Sequence, residues 1–210
     1  MGKDWTGNYK SIYTCLGASN HVSEDREKND YYATDPVAAE WLLKLEPDLM
    51  NIWEPCVGEG HLAKVFEKAG KLGKASDLID RGYGEGGIDF LKCTDTWNGD
   101  IVTNPPYSKA LECTYKALEL IPEGRKVCMF LKLTFLESQS RAKLFREFPF
   151  KVLYVSSARI KCAKNGEFDE MGSSAAAYGW FVWEKGFKGD PIIKWFNTGI
   201  VSEYNERSLF

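Results

Sequence analysis

Asn51-Ile52-Trp53-Glu54-Pro55-Cys56-Val57-Gly58-Glu59-Gly60, followed by His61 to Ala69 and then Gly70, is the stretch that decides the fold. A short apolar run breaks at Pro55, two glycines stand one residue apart, and Leu62, Val65 and Phe66 then recur at helical spacing. The spacing predicts a strand over 51–53, a glycine turn and a helix over 61–69 closed by Gly70. In such a turn the absent side chains let the backbone approach a ligand, and the N–H groups at the helix start favour a carboxylate or another anion. Two glycines in a strand-helix turn are also compatible with a plain bend, the lesser reading. The loop is too short for a phosphate cradle ending in Gly-Lys-Ser or Gly-Lys-Thr. It also lacks the three spaced glycines of a dinucleotide fingerprint. A carboxylate-bearing ligand with an adenosine part remains. Glu54 is placed to accept from that ligand's amino group, with Pro55, Gly58 and Gly60 in the same loop.

On either side of this unit, apolar runs alternate with amphipathic segments. Upstream, Thr34 or Asp35 caps a helix with Pro36 in its first turn; Val37, Trp41, Leu42 and Leu45 form its apolar face and Pro47 ends it. Downstream, strands are expected over 74–78, weakly up to Ile88-Asp89-Phe90, over 100–103, 126–133, 152–156 and 176–183. Ile192 to Phe196 reads as an edge strand or a packing arm. Helices are expected from Ser108, as cap, to Leu120, and from Ser138 to Phe145. Strands interleaved with helices of this length imply right-handed crossovers and an α/β, doubly wound, mostly parallel seven-stranded sheet covered on both faces. The organisation expected is a flexible N-terminal segment or lid over 1–30, one domain over 31–185 with a short insert near 158–174, and an extension over 186–210.

Composition narrows the function classes. With 210 residues, 44% hydrophobic and 27% charged, the chain reads as one globular domain with a substantial core. A net charge of −3 and an isoelectric point near 5.6 argue against a dedicated, tight, non-specific nucleic-acid binder. An enzyme that turns over a polyanion needs less backbone affinity, met by local basic patches. The six cysteines form no close pair and only two histidines accompany them, so no metal site is expected. The polar start lacks a signal peptide's apolar core and no apolar run reaches spanning length, so the expectation is an intracellular protein with no membrane partner.

Two acidic positions follow the first turn. Asp77, at the end of the second expected strand, is placed to reach ribose hydroxyls across the strand tips, with Asp80 as its rival. Asp89 is placed to bond an adenine amino group, while Phe90 or Leu78 packs on the ring.

The sharpest signal is Asn104-Pro105-Pro106-Tyr107, directly after a strand. Two prolines fix two φ angles and remove two backbone donors, leaving carbonyls that only accept. The result is a rigid corner carrying an amide, bare carbonyls and an aromatic ring. The amino group of adenine is a poor nucleophile because its lone pair is delocalised into the ring. The Asn104 side-chain oxygen and the Pro105 carbonyl can each accept one of its two hydrogens. That directs the lone pair outward and favours the positive charge developing on nitrogen. Tyr107 can stack on the base, a contact worth about 1–3 kcal/mol. No strong base is required, because transfer from a sulfonium yields an acidic, cationic amine; alignment is the main task.

The ordered set from about Tyr31 to Lys185 resembles the amino-group DNA methyltransferases of the adenine-N6 type, especially small phage and prophage members. Glu54 to Gly60 resembles the family's cofactor loop, with Glu54 where Asp is usual. Asp77 corresponds to the ribose-binding acid, Asp89-Phe90 to the adenine-contacting pair, and Asn104 to Tyr107 to the catalytic tetrad, whose first position is often Asp. The resemblance extends to Tyr31-Tyr32-Ala33-Thr34-Asp35-Pro36, similar to an N-terminal cofactor-contact motif. It implies that Tyr32 and Thr34 join Glu54, Pro55, Gly58, Gly60, Asp77, Leu78, Asp89, Phe90 and Asn104 in binding, and suggests the gamma-like motif order. It further implies a Rossmann-like fold, S-adenosylmethionine as cofactor and a nucleic-acid substrate, with DNA foremost. The expected location is the cytoplasm of a bacterial or phage-infected cell, and a homodimer would enlarge a small footprint. Little chain remains for a separate recognition domain, which leaves the target sequence open. Lys132 and the insert cations Arg159, Lys161 and Lys164 are candidate backbone contacts, and duplex DNA would require base extrusion. The same tetrad serves RNA adenine and protein glutamine methyltransferases, and a non-catalytic cofactor-binding partner or inhibitor is the reading from another class.

Overall fold

The computed structural model describes residues 33–158, 160–163 and 176–196. The elements in chain order are β1 (Ala33–Thr34), α1 (Val37–Leu45), β2 (Ile52–Glu54), α2 (Ala63–Lys68), β3 (Leu72–Ala75), β4 (Ile101–Thr103), α3 (Ala110–Leu120), β5 (Lys126–Lys132), α4 (Gln139–Glu147), β6 (Val152–Ser156), β7 (Cys162–Ala163), β8 (Tyr178–Glu184) and β9 (Ile192–Phe196). Seven of the strands form one sheet in the order β3-β2-β4-β5-β8-β6-β9. Four of its neighbouring pairs run parallel, and β8 runs antiparallel to both β5 and β6.

Alternation along the inner strands sorts their side chains onto two faces. Val102, Cys128, Phe130, Trp180 and Val182 pack with Ala38, Ala39 and Leu42 of α1 and Phe66 of α2. Their sequence neighbours Ile101, Val127, Met129, Phe181 and Trp183 pack with Cys113, Ala117 and Leu118 of α3 and Leu144 of α4. Both faces of β5 are thus covered, which explains why Val127 to Leu131 is an unbroken apolar run. Two buried tryptophans satisfy their indole N–H groups: Trp180 donates to the Ala38 carbonyl at 2.9 Å and Trp183 to that of Phe148 at 2.9 Å.

Three expectations are corrected. The second strand ends at Ala75, short of the expected Leu78, because the chain turns at Ser76 to hydrogen-bond the first loop. No strand forms near Ile88-Asp89-Phe90. A single bridge, Ser76 with Glu85, marks the place, and Asp89 instead caps one tight turn over Phe90–Lys92. Ser108 is not the cap of α3; it lies inside a tight turn at Tyr107–Lys109 that leads into the helix. The seventh strand is supplied at the opposite edge by β9, parallel to β6, so residues 192–196 complete the sheet. Asp35 behaves as expected, its Oδ1 accepting from the Val37 N–H at 3.0 Å.

Chain order reverses between β2 and β4: from β2 the chain moves outward to β3, then crosses to the other side. A crevice opens at the carboxyl ends of strands at such a reversal. The loops leaving β2, β3 and β4 all begin there. A two-stranded ribbon, β1 antiparallel to β7, pairs Ala33 with Ala163 and Thr34 with Cys162.

Candidate functional site

A cleft of about 140 Å³ lies at this reversal, with Glu54 and Pro55 from the end of β2, Asp77 and Leu78 beyond β3, and Asn104 to Tyr107 from the end of β4. Thr34 of the ribbon and Asp89-Phe90 complete the set. Residues scattered over seventy positions of sequence therefore converge on one wall, because three parallel strands deliver their ends side by side.

Glu54 is a strongly perturbed carboxyl group in the cleft. It is 2% exposed, and its Oε2 has no hydrogen-bond partner among the described residues. Burial, and then the charge of Asp77, push its carboxyl well above the usual carboxylate range; the Ala63 N–H opposes them. A buried acceptor of this kind is costly unless a donor meets it.

Asp77 ties two loops together. Its Oδ2 accepts from the Gly58 N–H at 2.8 Å and its Oδ1 from the Ile79 N–H at 2.9 Å. Each oxygen keeps capacity for a second donor. Asp80, the rival, is exposed and absent from the cleft wall; its Oδ1 accepts from the Gly82 N–H at 2.9 Å. Leu78 and Ile79 are exposed beside Asp77, large apolar side chains at the cleft mouth. Phe90 is buried edge-on against Trp53, with ring centres 5.3 Å apart. Asp89 caps its turn through the Leu91 N–H at 3.1 Å and pairs with Lys92 at 3.1 Å.

At the Asn-Pro-Pro-Tyr corner the Asn104 side-chain amide donates to the Thr34 hydroxyl at 2.7 Å. Pro105 is buried and Pro106 opens the turn into α3. The Lys132 ammonium lies 4.5 Å from the centre of the Tyr107 ring, and Tyr178 is 6.1 Å away on a tilted plane. Burial pushes the Tyr107 phenol well up, so it stays protonated at neutral pH.

Neither Gly58 nor Gly60 lines the cleft. Gly58 contributes its N–H to Asp77, whereas Gly60 has φ +81° and a Cβ there would stand 2.6 Å from the Tyr83 ring. A side chain at position 60 would therefore meet both an unfavourable φ and the Tyr83 ring. Lys161 contributes its carbonyl, which accepts from the Asp35 N–H at 3.1 Å. Tyr32, Arg159 and Lys164 lie outside the described residues.

Sequence reasoning missed Cys56, His61, Arg81, Lys109 and Cys113, all on the cleft wall. Their only signal was adjacency to named motifs, which does not reveal side-chain direction. His61 is held below its ordinary pKa mainly by burial, with Lys64 adding to the effect and Glu59 opposing it. Cys56 and Cys113 both line the cleft, and the neighbouring Cys113 and burial push the Cys56 thiol far up, so it remains a thiol.

No family model matches the chain, and no curated protein matches it. Solved structures do. A proposed RNA methyltransferase from Pyrococcus horikoshii superposes with a TM-score of 0.55 at 13% identity, over 84% of this chain and 98% of that one. A proposed class I S-adenosylmethionine-dependent methyltransferase from Listeria monocytogenes gives 0.53 at 12%, over 90% and 70%. An S-adenosylmethionine-dependent O-methyltransferase from Thermotoga maritima gives 0.51 at 15%, over 83% and 73%. The chain has the Rossmann-like fold of S-adenosylmethionine-dependent methyltransferases. The type IIG restriction endonuclease BpuSI contains a similar unit, at 0.50 and 16%, and this chain covers 26% of it.

Proposed function

We propose that the protein transfers a methyl group from S-adenosylmethionine to the N6 amino group of adenine in DNA. The observation that carries the reading is the meeting, in one cleft, of the Asn104-Pro105-Pro106-Tyr107 corner with the buried, under-satisfied carboxylate of Glu54.

The residues present fit the cofactor. Glu54 offers a buried acceptor to an α-amino group, Asp77 offers spare lone pairs to ribose hydroxyls, and Leu78, Ile79 and Phe90 offer apolar surface to a purine. When bound, the cofactor supplies an electrophilic methyl on sulfur. The chain's own residues then do the rest. The Asn104 oxygen and the Pro105 carbonyl accept the two amine hydrogens and hold the nitrogen's lone pair toward the methyl group. Rigid acceptors need no rearrangement as positive charge grows on nitrogen. Tyr107 supports the base plane, and the Lys132 ammonium beside its ring is well placed for a neighbouring phosphate. No residue needs to act as a strong base.

Labelled-methyl transfer with unmethylated DNA, RNA and protein substrates tests the proposal. DNA is expected to be labelled at N6 of adenine. Asn104→Ala is expected to lower kcat by about 10²–10³-fold, on the scale of deleting one preorganised hydrogen-bonding group, while cofactor binding is retained. Labelling confined to RNA or to protein glutamine would reassign the substrate, and full turnover by Asn104→Ala would remove the tetrad from the chemistry.

A further inference from the structure

An amide is a two-ended group: rotated by half a turn, Asn104 would present its N–H₂ donors where the amine hydrogens must find an acceptor. The corner's prolines fix the backbone but leave this rotation open, so something else must set it. The Thr34 hydroxyl, 3% exposed, takes the Asn104 Nδ2 at 2.7 Å from the far side. Since the amide is planar, its oxygen is turned the opposite way.

The polarity of that contact is itself controlled. A hydroxyl can donate or accept, and it would tolerate either amide orientation unless its own proton were committed elsewhere. Thr34 and Cys162 are direct partners in the β1–β7 ribbon, and Cys162 is buried at 6% exposure. As direct cross-strand partners, Thr34 and Cys162 carry their side chains on the same face of the ribbon, which sets the sulfur beside the hydroxyl as an acceptor. A Thr34 proton directed at that sulfur leaves the oxygen only to accept, which is the polarity of its 2.7 Å contact with the Asn104 Nδ2. The ribbon is in turn fixed by the Asp35 N–H to the Lys161 carbonyl at 3.1 Å, and the next turn by Asp35 Oδ1 to the Val37 N–H at 3.0 Å. A short strand from before the first helix and another from near the end of the domain thereby reach the reacting corner.

We propose that Thr34 is a positioning residue, whose hydroxyl, held by the β1–β7 ribbon, sets the Asn104 amide with its oxygen toward the substrate amine. This rests on the methyl-transfer reading of the cleft. It differs from the role implied by the family resemblance, in which Thr34 contacts the cofactor.

The discriminating variants are Thr34→Val, which keeps shape and strand preference but removes the hydroxyl, and Thr34→Ser, which keeps the hydroxyl. In the 210-residue chain, Thr34→Val is expected to lower kcat at saturating S-adenosylmethionine by about tenfold or more, with cofactor Kd changed by less than about twofold, and Thr34→Ser is expected to recover most of the rate. The Asn104 side-chain amide resonances, followed by ¹⁵N NMR without substrate, are expected to shift in Thr34→Val and to hold their positions in Thr34→Ser. An unchanged kcat in Thr34→Val overturns the proposal. So does a loss confined to cofactor Kd with kcat preserved at saturation, which would make Thr34 a cofactor ligand. Equal losses in the Val and Ser variants also overturn it, since the hydroxyl would then be irrelevant. Should the unmodified protein methylate nothing, the methyl-transfer reading fails by itself, and the NMR comparison still decides whether Thr34 orients Asn104.

Discussion

At the strand starts, Lys126 reaches Glu46 and Asp48 at 2.6 Å each, and Tyr154 donates to the other Glu46 oxygen at 2.6 Å. Beside it, buried Asp100 accepts from the N–H groups of Met50 and Lys126, each at 2.8 Å. At the opposite end of the same sheet, Glu54 is buried with one oxygen lacking a partner among the described residues. Both ends bury carboxylates, yet only one completes their bonding. A structural network gains from closing every lone pair, because a half-satisfied buried polar group is costly. A ligand site must leave a group waiting. The contrast separates a pole whose buried carboxylates are fully bonded from one that keeps a buried acceptor unmet.

The largest effect should come from opening the closed pole. Burial pulls the Lys126 pKa down, but Asp48 and Glu46 outweigh it and hold the ammonium above its ordinary value. Lys126→Met removes the cation and leaves Glu46 buried without it. Breaking a buried pair from one side costs about 3–5 kcal/mol, and at about 2–4 °C per kcal/mol for a domain of this size the melting temperature should fall by roughly 6–20 °C. Methyl transfer per folded molecule, assayed well below the transition, should be unchanged. A Tm within about 2 °C of the parent would show that the network is not what closes this end.

Glu54→Gln probes the open pole and should act in the other direction. Because its folded-state pKa lies above the ordinary 4.5, the folded protein binds more protons than the unfolded chain in the window above that value. Stability should therefore fall as pH rises from 4.5 toward the raised value. Removing the charge should abolish that slope and raise neutral-pH stability by about 1 kcal/mol, the scale of an unmet buried acceptor. Cofactor affinity should drop by about tenfold, equivalent to about 1.4 kcal/mol. Stability gained together with affinity lost is the signature of a site kept open for a ligand. Calorimetry at several pH values and cofactor titration read both, and a variant that melts lower while binding normally would contradict the assignment.

The same contrast explains what the sequence disclosed. Alternation and helical spacing made the sheet, its flanking helices and the β5 core legible, because burial on two faces writes itself into local pattern. The convergence of Glu54, Asp77, Asn104 and Tyr107 on one cleft was legible because each follows a strand end in a short contiguous motif. The bond from Asn104 to Thr34 spans seventy positions and depends on β1 finding β7, two strands of two residues each. Strands that short carry no periodicity. The closed pole was silent for the same reason: Glu46, Asp48 and Lys126 read as ordinary surface charges until the fold brings them within 2.6–2.7 Å. Gly60 shows the converse limit, since a glycine packed against the Tyr83 ring looks the same in sequence as one that admits a ligand.

Asp48→Asn sharpens the comparison most finely. Asp48 shares Lys126 with Glu46, but its side chain is 61% exposed. Its hydrogen bond to Lys126 holds its carboxyl below the usual value, with burial opposing and the Lys126 charge assisting. The sign is opposite to that of Glu54. A depressed carboxylate contributes stability that is present above the ordinary 3.8 and is lost as pH falls through the lower folded-state value. Solvent screening limits the contribution of so exposed a partner to about 0–1 kcal/mol. Asp48→Asn should therefore lower the neutral-pH Tm by at most about 4 °C, leave cofactor affinity unchanged, and bring variant and parent together below pH 3.8. A penalty as large as that of Lys126→Met would mean that Asp48, and not buried Glu46, is the partner that closes the network.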